Sequence, residues 1–300
     1  IMTKINQIYK TKPVPVLSFE VYPPHQEESV TSLFQTLEEL NPRQAGVDFI
    51  SVTYGAGGSA NHERTQQIAS YIQNHFGVTA LHHLTGINQT PATLHQNLSE
   101  MKAAGIENIL AVRGDLPSSD YDNSCYPFAK DLITDIKKEN DFSIGAAVYP
   151  EGHVDNPITG ISVGGVREKI SAGSQFLISQ LFFDNHAFYK MQEELKNNYI
   201  QIPVSAGILP IISQKQVEKL TYMIGSSLPA KLAKIVHKYQ DTPEALRQAG
   251  MDYAMEQIYD LLDHGVDGIH LYAMNQADIL TTMLPKINDY IQCKNKRYAV

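Results

Sequence analysis

The chain has 300 residues, of which 43% are hydrophobic and 19% are charged, as in an ordinary globular protein with a sizeable core. Its formal net charge of −8 argues against nucleic acid or an anionic membrane as the main partner, so small molecules are the expected ligands. The two cysteines, Cys125 and Cys293, predict neither a disulfide framework nor a metal site, and no apolar run reaches about 18 residues, so we expect a cytoplasmic protein without export signal or membrane segment.

One unit repeats along the chain: a short apolar strand, a polar or glycine-rich turn and a helix. Strands are predicted at residues 14–21, 47–53, 79–84, 108–112, 143–149, 175–182, 204–209 and 268–272. Helices are predicted at residues 27–40, 63–76, 91–104, 128–140, 166–172, 187–197, 214–223, 243–264 and 277–292. This alternation predicts an α/β fold, a closed (β/α)8 TIM barrel, with residues 1–300 as a single domain and 1–13 as an N-terminal extension. Two predicted helices follow the seventh strand, where the repeat would have one.

Glu20 stands near the end of the first predicted strand, shortly before Pro23 and Pro24. Two prolines cannot continue a hydrogen-bonded ladder, so the strand stops there. A carboxyl group among apolar side chains is poorly hydrated, which raises its pKa, and an acid that keeps its proton can act as a proton donor. The alternative is a solvated glutamate at a strand end, paired with a nearby lysine.

Polar residues also follow most of the other predicted strands. They are Thr53, His83, Arg113, Gly114, Asp115, Tyr149, Glu151, His153, Gln180, Asp184, Tyr272, Asn275 and Gln276. Each one alone has a structural explanation, such as a capping aspartate or a hydrogen-bonded core histidine. Because barrel enzymes place their chemistry at the carboxyl ends of the strands, the shared placement of these residues favours an active site at that end.

The segment from Gly55 to Ala60 matches the dinucleotide-binding pattern G-x-G-x-x-A between a strand and a helix. That fold also requires an acidic residue about 20 positions later, at the end of the next strand, and none is present there. We therefore interpret the glycines as a tight turn near a ligand. His82 and His83 are adjacent on a strand, so they face opposite sides and cannot bind one metal ion together; no metal site is expected.

Together these motifs resemble methylenetetrahydrofolate reductase of the short bacterial type, in order and over nearly the whole chain. The resemblance rests on Phe19-Glu20-Val21-Tyr22-Pro23-Pro24, Ser51-Val52-Thr53-Tyr54-Gly55-Ala56-Gly57-Gly58, His83-Leu84-Thr85, Leu110-Ala111-Val112-Arg113-Gly114-Asp115, Ala147-Val148-Tyr149-Pro150-Glu151-Gly152-His153, Gln180-Leu181-Phe182-Phe183-Asp184, Gly207-Ile208-Leu209-Pro210 and His270-Leu271-Tyr272-Ala273-Met274-Asn275. It implies an eight-stranded barrel that binds FAD, is reduced by NADH or NADPH, and converts 5,10-methylenetetrahydrofolate to 5-methyltetrahydrofolate. A homo-oligomer is also expected.

The resemblance also implies roles for individual residues. Glu20 is similar in position to the general acid that protonates N10 of the folate, and Asp115 to the residue that binds the pterin near the flavin. Gln180, Gln216 and Gln276 fall at positions of substrate contacts. The positions implied to contact FAD are those of Thr53, Tyr54, His83, Arg113, Gly114, Asp115, Ala129, Tyr149, His153 and Lys169.

The sequence departs from the family pattern at two places. Ser162, Gly165 and Glu168 occupy positions where flavin-binding relatives often have Asp, Asn and Arg, and Gln276 stands where relatives commonly have Arg. Two alternatives to the flavin enzyme therefore stay open. One is a reductase that passes hydride directly from the nicotinamide, and the other is a barrel that binds folate without catalysis.

Overall fold

The computed structural model describes residues 2–24, 26–54, 59–114, 125–139, 141–153 and 160–298. Its short apolar segments form eight parallel strands: β1 Val16–Val21, β2 Phe49–Val52, β3 Thr79–Thr85, β4 Asn108–Val112, β5 Ser143–Val148, β6 Phe176–Ser179, β7 Val204–Ile208 and β8 Gly268–Tyr272. Each strand pairs with the next, and β8 pairs with β1, so the sheet is a closed barrel. The predicted TIM barrel is thus confirmed, as is each predicted strand.

Eleven helices surround the barrel in the described part of the chain. They are α1 Ile5–Thr11, α2 Glu27–Leu40, α3 Ser59–Tyr71, α4 Pro91–Ala103, α5 Ala129–Lys138, α6 Val163–Ala172, α7 Asn185–Asn197, α8 Gln214–Ile224, α9 Ala230–Lys238, α10 Pro243–Asp263 and α11 Ala277–Tyr298. A π-helical turn, Ile72–Phe76, continues α3. The nine predicted helices are confirmed, whereas α1 and α9 were not predicted. Both are short, and neither has a hydrogen-bonding side chain at its N-cap, which is the usual sequence signal for a helix start.

Helix α1 closes the amino-terminal end of the barrel. Ile5 is fully buried among the inward-facing apolar residues of that end, which include Phe49 and Phe176. Its backbone N–H donates to Asn108 Oδ1 at 2.8 Å, and the Tyr9 hydroxyl forms a 2.6 Å hydrogen bond with the Ser205 hydroxyl. The amino end of the barrel is therefore filled by side chains, which leaves the carboxyl end for polar groups.

Helices α8, α9 and α10 follow β7 and build a second, smaller apolar cluster. It contains Leu181, Phe183, Leu209, Ile211, Val217, Leu232, Val236 and Leu246. Gly250 of α10 lies against the backbone of Ile211, so closely that an added Cβ would be 1.6 Å from the Ile211 carbonyl oxygen. A glycine at this position thus lets α10 pack directly on the loop that follows β7. Within the described ranges, no helix combines the length and apolarity needed to cross a membrane.

Candidate active site

Glu20 lies near the carboxyl end of β1 and points into the barrel, where three side chains from other strands surround its carboxylate. Ser51 Oγ of β2 donates to Glu20 Oε2 at 3.3 Å. His83 Nε2 of β3 lies 3.5 Å from the same oxygen, and His270 Nε2 of β8 lies 3.9 Å from it. The side chain of Glu20 remains 22% exposed, so a ligand in the barrel mouth could reach it.

The end of β1 is fixed by Asn275, in the loop that follows β8. Its side-chain oxygen accepts a hydrogen bond from Tyr22 N at 3.1 Å, and its Nδ2 donates to Tyr22 O at 2.8 Å. Asn275 has a left-handed backbone with φ of 55°, a conformation that asparagine tolerates better than most residues. The amide thus replaces the ladder bonds that Pro23 and Pro24 cannot continue.

The histidines determine the ionisation of Glu20. Burial raises the pKa of its carboxyl, but the proximity of His270 and the positive charge that His83 can carry lower it by more, so the pKa lies below the usual value. The expectation that Glu20 keeps its proton longer than usual is therefore wrong, because it considered only the apolar neighbours in sequence. The solvated alternative is also wrong, because the partners of the carboxylate are serine and histidine.

Burial also shifts the pKa values of two neighbouring groups, His83 and Tyr272. Burial lowers the pKa of His83, which outweighs the opposite effect of Glu20. Burial, with the charge of Glu20 and then of Tyr149, raises the pKa of Tyr272 well above its usual value. The Tyr272 hydroxyl donates to Ser179 O at 2.9 Å, and its ring crosses over Gly207, where an added Cβ would be 2.6 Å from Tyr272 Cε2.

Several positions implied to contact FAD lie together beside β5 and α6. The ring of Tyr149 lies 4.7 Å from that of His153, and Lys169 Nζ is 5.6 Å from the centre of the Tyr149 ring. Lys169 Nζ donates to Ala147 O at 2.8 Å, and no carboxylate of the described residues forms an ion pair with it. Burial lowers the pKa of Lys169 to about 8. A buried amine with this environment suits an anionic ligand such as a phosphate group.

Other positions implied to contact FAD are placed by the ends of strands and helices. Thr53 and Tyr54 follow β2, and Ala129 begins α5. Arg113 and Gly114 follow β4, where Gly114 has φ of 90° and an added Cβ would be 2.7 Å from Ile87 Cγ2. Asp115 lies outside the described residues, as do Gly55 to Gly58 of the glycine-rich segment. His83 instead lies beside Glu20.

The three positions that depart from the family pattern have local structural roles. Ser162 caps α6, since its hydroxyl oxygen accepts a hydrogen bond from Gly165 N at 3.2 Å. Glu168 forms a 3.0 Å ion pair with Lys130 of α5, next to Ala129. These residues stabilise α6 and its contact with α5.

The three glutamines assigned to the substrate are held by intramolecular hydrogen bonds. Gln180 Oε1 accepts from Leu181 N at 2.9 Å, and Gln216 Oε1 accepts from Ile212 N at 2.8 Å. Gln276 Oε1 accepts from Nη2 of Arg247 at 3.1 Å. All three stand at the carboxyl end of the barrel, but the described contacts do not bring them to Glu20.

Three residues of this site were not singled out from the sequence: Ser18, Ser51 and His270. The available signal was the period of two along a strand, which places Ser18 on the same face as Glu20 and His270 on the same face as Tyr272. Arg247 was also missed, because its position beside Gln276 depends on how α10 packs.

Comparisons with known proteins place this geometry in context. The sequence model of the family named methylenetetrahydrofolate reductase matches residues 4–288. The 5,10-methylenetetrahydrofolate reductase of Escherichia coli is 32% identical over 263 residues, which is 88% of this chain and 87% of that protein. Methylenetetrahydrofolate reductase (NADH) 1 of Arabidopsis thaliana is 31% identical over 273 residues, 86% of this chain and 46% of that protein.

Among solved structures, a similar fold is seen in an uncharacterised protein from Clostridium thermocellum that binds two copies of 5-methyl-5,6,7,8-tetrahydrofolic acid. The TM-score is 0.61 at 16% sequence identity, and the match covers 97% of this chain and 99% of that one. At this identity the likeness concerns the barrel fold.

Proposed function

Because the chain belongs to the methylenetetrahydrofolate reductase family, a family of oxidoreductases, we propose that it reduces 5,10-methylenetetrahydrofolate to 5-methyltetrahydrofolate with Glu20 as the general acid. The supporting observation is the carboxylate of Glu20, which stands at the carboxyl end of β1 with His83 and His270 within 4 Å. This is the position in the fold where barrel enzymes carry their reacting groups.

The reaction needs such an acid for a chemical reason. The methylene bridge between N5 and N10 of the substrate is a closed aminal, which is a poor hydride acceptor. Protonation of N10 breaks the bond from that nitrogen to the bridge and leaves an iminium ion at N5, which accepts hydride readily. The proton stays on N10 in the product, so each turnover consumes one proton. Glu20 must therefore be protonated again before the next turnover.

We also propose FAD as the cofactor and NADH or NADPH as the hydride source. When bound, the flavin would supply hydride transfer, and the protein would bind and orient it. The residues that fit this group are Lys169, Tyr149, His153, Arg113 and Gly114. Lys169 is a buried amine without a carboxylate partner in the described structure. Gly114 packs against Ile87 with a positive φ, which fixes the turn that follows β4. Thr53, Tyr54, Ala129 and Asp115 stay proposed cofactor contacts, and Asp115 a catalytic one, on resemblance alone.

Direct hydride transfer from the nicotinamide is a second candidate. It is favoured by one observation: Ser162, Gly165 and Glu168 serve the structure of α6 and its ion pair with Lys130. The visible absorbance spectrum of the purified protein separates the two, because a bound flavin absorbs at wavelengths where the protein alone does not. A colourless protein that still oxidises NADH when folate is added would favour direct transfer.

Folate-dependent oxidation of NADH, followed at the nicotinamide absorbance, tests the proposed reaction itself. The Glu20→Gln protein serves as the matched control, because it keeps the size of the side chain and loses the acid. Equal activity of the two proteins would contradict the role of Glu20. Folate binding without any turnover by the unaltered protein would support the non-catalytic alternative.

A further inference from the structure

His270 is fully buried inside the barrel, between the hydroxyl groups of two serines. Its Nδ1 lies 2.8 Å from Ser18 Oγ of β1, and its Nε2 lies 3.4 Å from Ser51 Oγ of β2. Each ring nitrogen therefore has one hydroxyl within hydrogen-bond distance. The protonation state of the ring depends on which partner donates in each pair.

Each of the two serines has a second acceptor within hydrogen-bond distance. Ser18 Oγ lies 3.2 Å from the carbonyl oxygen of Ile269, which can only accept. Ser51 Oγ lies 3.3 Å from Glu20 Oε2, which also accepts when the carboxylate is ionised. A serine hydroxyl has a single proton to donate, so when Ser18 donates to Ile269 O and Ser51 donates to Glu20 Oε2, both serines accept from the imidazole. A histidine that donates from both ring nitrogens is an imidazolium ion.

The surroundings of His270 favour a positive charge on the ring. Glu20 Oε2 is 3.9 Å from its Nε2, and the ring centres of Phe49 and Tyr272 lie 6.1 and 5.1 Å away. The electron-rich face of an aromatic ring attracts a cation at about this distance. The other titratable groups that face this cluster are His83 of β3 and Tyr272 of β8, and Tyr149, which follows β5, acts electrostatically on Tyr272. Burial lowers the pKa of His83 and raises the pKa of Tyr272, so the carboxylate of Glu20 is the anion that balances the ring among these groups.

We propose that His270 is an imidazolium ion in the resting protein and stores the proton that Glu20 delivers, which makes it a positioning residue for the acid. In this step the Nε2–H bond of His270 breaks and its proton passes to Ser51 Oγ. The Ser51 hydroxyl proton passes to Glu20 Oε2, and the Glu20 proton passes to the substrate. His270 is left neutral, and one proton from solvent, entering at the exposed part of Glu20, restores the pair. The delivery step rests on the proposed function, whereas the charge of His270 does not.

The charge can be measured directly on the protein without substrate. In protein labelled with ¹⁵N at its histidine rings, we expect the His270 signals at pH 7 to show a proton on both nitrogens. The signals that are absent from the spectrum of His270→Gln are those of His270. His186→Gln, which removes an exposed ring outside the site, is the matched control for this assignment. A proton on only one ring nitrogen of His270 would overturn the proposal.

The coupling to Glu20 gives a second readout. The band of a protonated carboxyl group in infrared difference spectra, assigned with Glu20→Gln, reports the titration of Glu20. Removal of a neighbouring positive charge should raise the midpoint in His270→Gln by at least one pH unit, which is a tenfold change in proton affinity. If His270→Gln does not fold by circular dichroism, Ser18→Ala, which removes the acceptor at Nδ1, should shift the midpoint in the same direction. An unchanged midpoint in the folded variant would contradict the coupling.

The pH profile of folate reduction connects this pair to the reaction. In His270→Gln, the proton is lost at the titration midpoint of Glu20. In the unaltered protein, Glu20 and His270 share one proton, which remains available until His270 is also deprotonated. The rate in the unaltered protein should therefore persist to higher pH than the rate in His270→Gln, and the loss in the variant should shrink as the pH falls. Identical profiles would argue against proton storage. If the nuclear magnetic resonance result holds but Glu20→Gln remains active, the proposed function fails and the charge assignment stands.

Discussion

Arg247 of α10 donates a hydrogen bond from Nη2 to the side-chain oxygen of Gln276, at 3.1 Å, and also forms an ion pair with Asp278. A guanidinium group thus stands beside Gln276, the position at which the family resemblance implies an Arg, but it comes from a different helix. Arg247 thus provides a positive charge beside the uncharged Gln276, and the carboxylate of Asp278 partly balances that charge.

We expect Arg247→Gln to raise the Michaelis constant for methylenetetrahydrofolate about tenfold, with little change for NADH. The reason is that a hydrogen bond to a charged group contributes roughly 1.5–3 kcal/mol, and the folate tail carries carboxylates. Steady-state kinetics would measure this, with Arg167→Gln, at an exposed position of α6, as the matched control. Gln276→Arg should lower the same constant only slightly, because the new guanidinium would lie beside Arg247. A large improvement in Gln276→Arg would mean that Arg247 does not serve the substrate.

Glu20→Gln should slow folate reduction by at least about 100-fold, the lower end of what general acid catalysis supplies. NADH oxidation with an artificial electron acceptor should stay near normal, because that reaction requires no proton from this residue. The two rates are measured on the same preparation, with exposed Glu39→Gln as the control for removal of a negative charge. A loss smaller than tenfold in folate reduction would remove Glu20 from the role of acid.

Lys169 should make the stability of the folded protein depend on pH. Burial lowers its pKa from 10.5 to about 8 in the folded protein, so between these values the unfolded chain binds more protons. Stability then rises as the pH increases from about 8 to 10.5, by roughly 1–3 kcal/mol, since one unit of pKa is worth about 1.4 kcal/mol. Urea unfolding of Lys169→Met should show a smaller rise over this range. Equal slopes for both proteins would mean that the amine is hydrated.

Gly250→Ala should destabilise the protein by about 1–3 kcal/mol, the usual cost of forcing an extra methyl group into a packed site. The new Cβ would meet the carbonyl oxygen of Ile211, so α10 would have to move. Gly164→Ala in α6 is the matched control, because an added Cβ there has no atom within 4 Å. Alanine is the better helix former, so the control should be neutral or slightly stabilised. Urea denaturation compares the two, and a stable Gly250→Ala protein would show that the packing is looser than described.

Ile5→Ala tests the contribution of α1 to the closed end of the barrel. Ile5 is fully buried, and truncation of a buried isoleucine to alanine costs about 2–5 kcal/mol. The adjacent Asn6→Ala has a smaller expected effect, since its backbone bond to Ser143 Oγ does not need the side chain. Similar unfolding midpoints for Ile5→Ala and the parent protein would mean that α1 is not part of the folded core.

The fold could be predicted from the sequence because each strand is a short, mainly apolar segment and each is separated from the next by a helical stretch. Glu20 could also be predicted as an unusual residue, because it is an acid near the end of an apolar strand and shortly before Pro23 and Pro24. The ionisation of Glu20 could not be predicted from the sequence, because the partners of its carboxylate, His83 and His270, are 63 and 250 positions away along the chain. Sequence neighbours predict the burial of a carboxyl group, while the direction of its pKa shift depends on partners that only the closed barrel brings together.

The two helices missed from the sequence differ in their consequences. Helix α9 extends an apolar cluster that the chain had already begun with α8. Helix α1 is short and has no capping side chain, and its residues acquire a role only when Asn108, Ser143 and Ser205 form a surface for it. Local propensity cannot reveal such an element.

The contacts of α1 also bear on the order of events during synthesis. This helix is synthesised before every strand of the barrel, yet its Tyr9 bonds to Ser205, which is 196 positions later in the chain. Contacts between distant positions form late, since the intervening chain must first be ordered. Helix α1 therefore cannot complete its contacts until β7 has been made. Burial of Tyr9 should accordingly come late in folding, after protection from hydrogen exchange has appeared in the strands β4 and β5 that α1 also contacts.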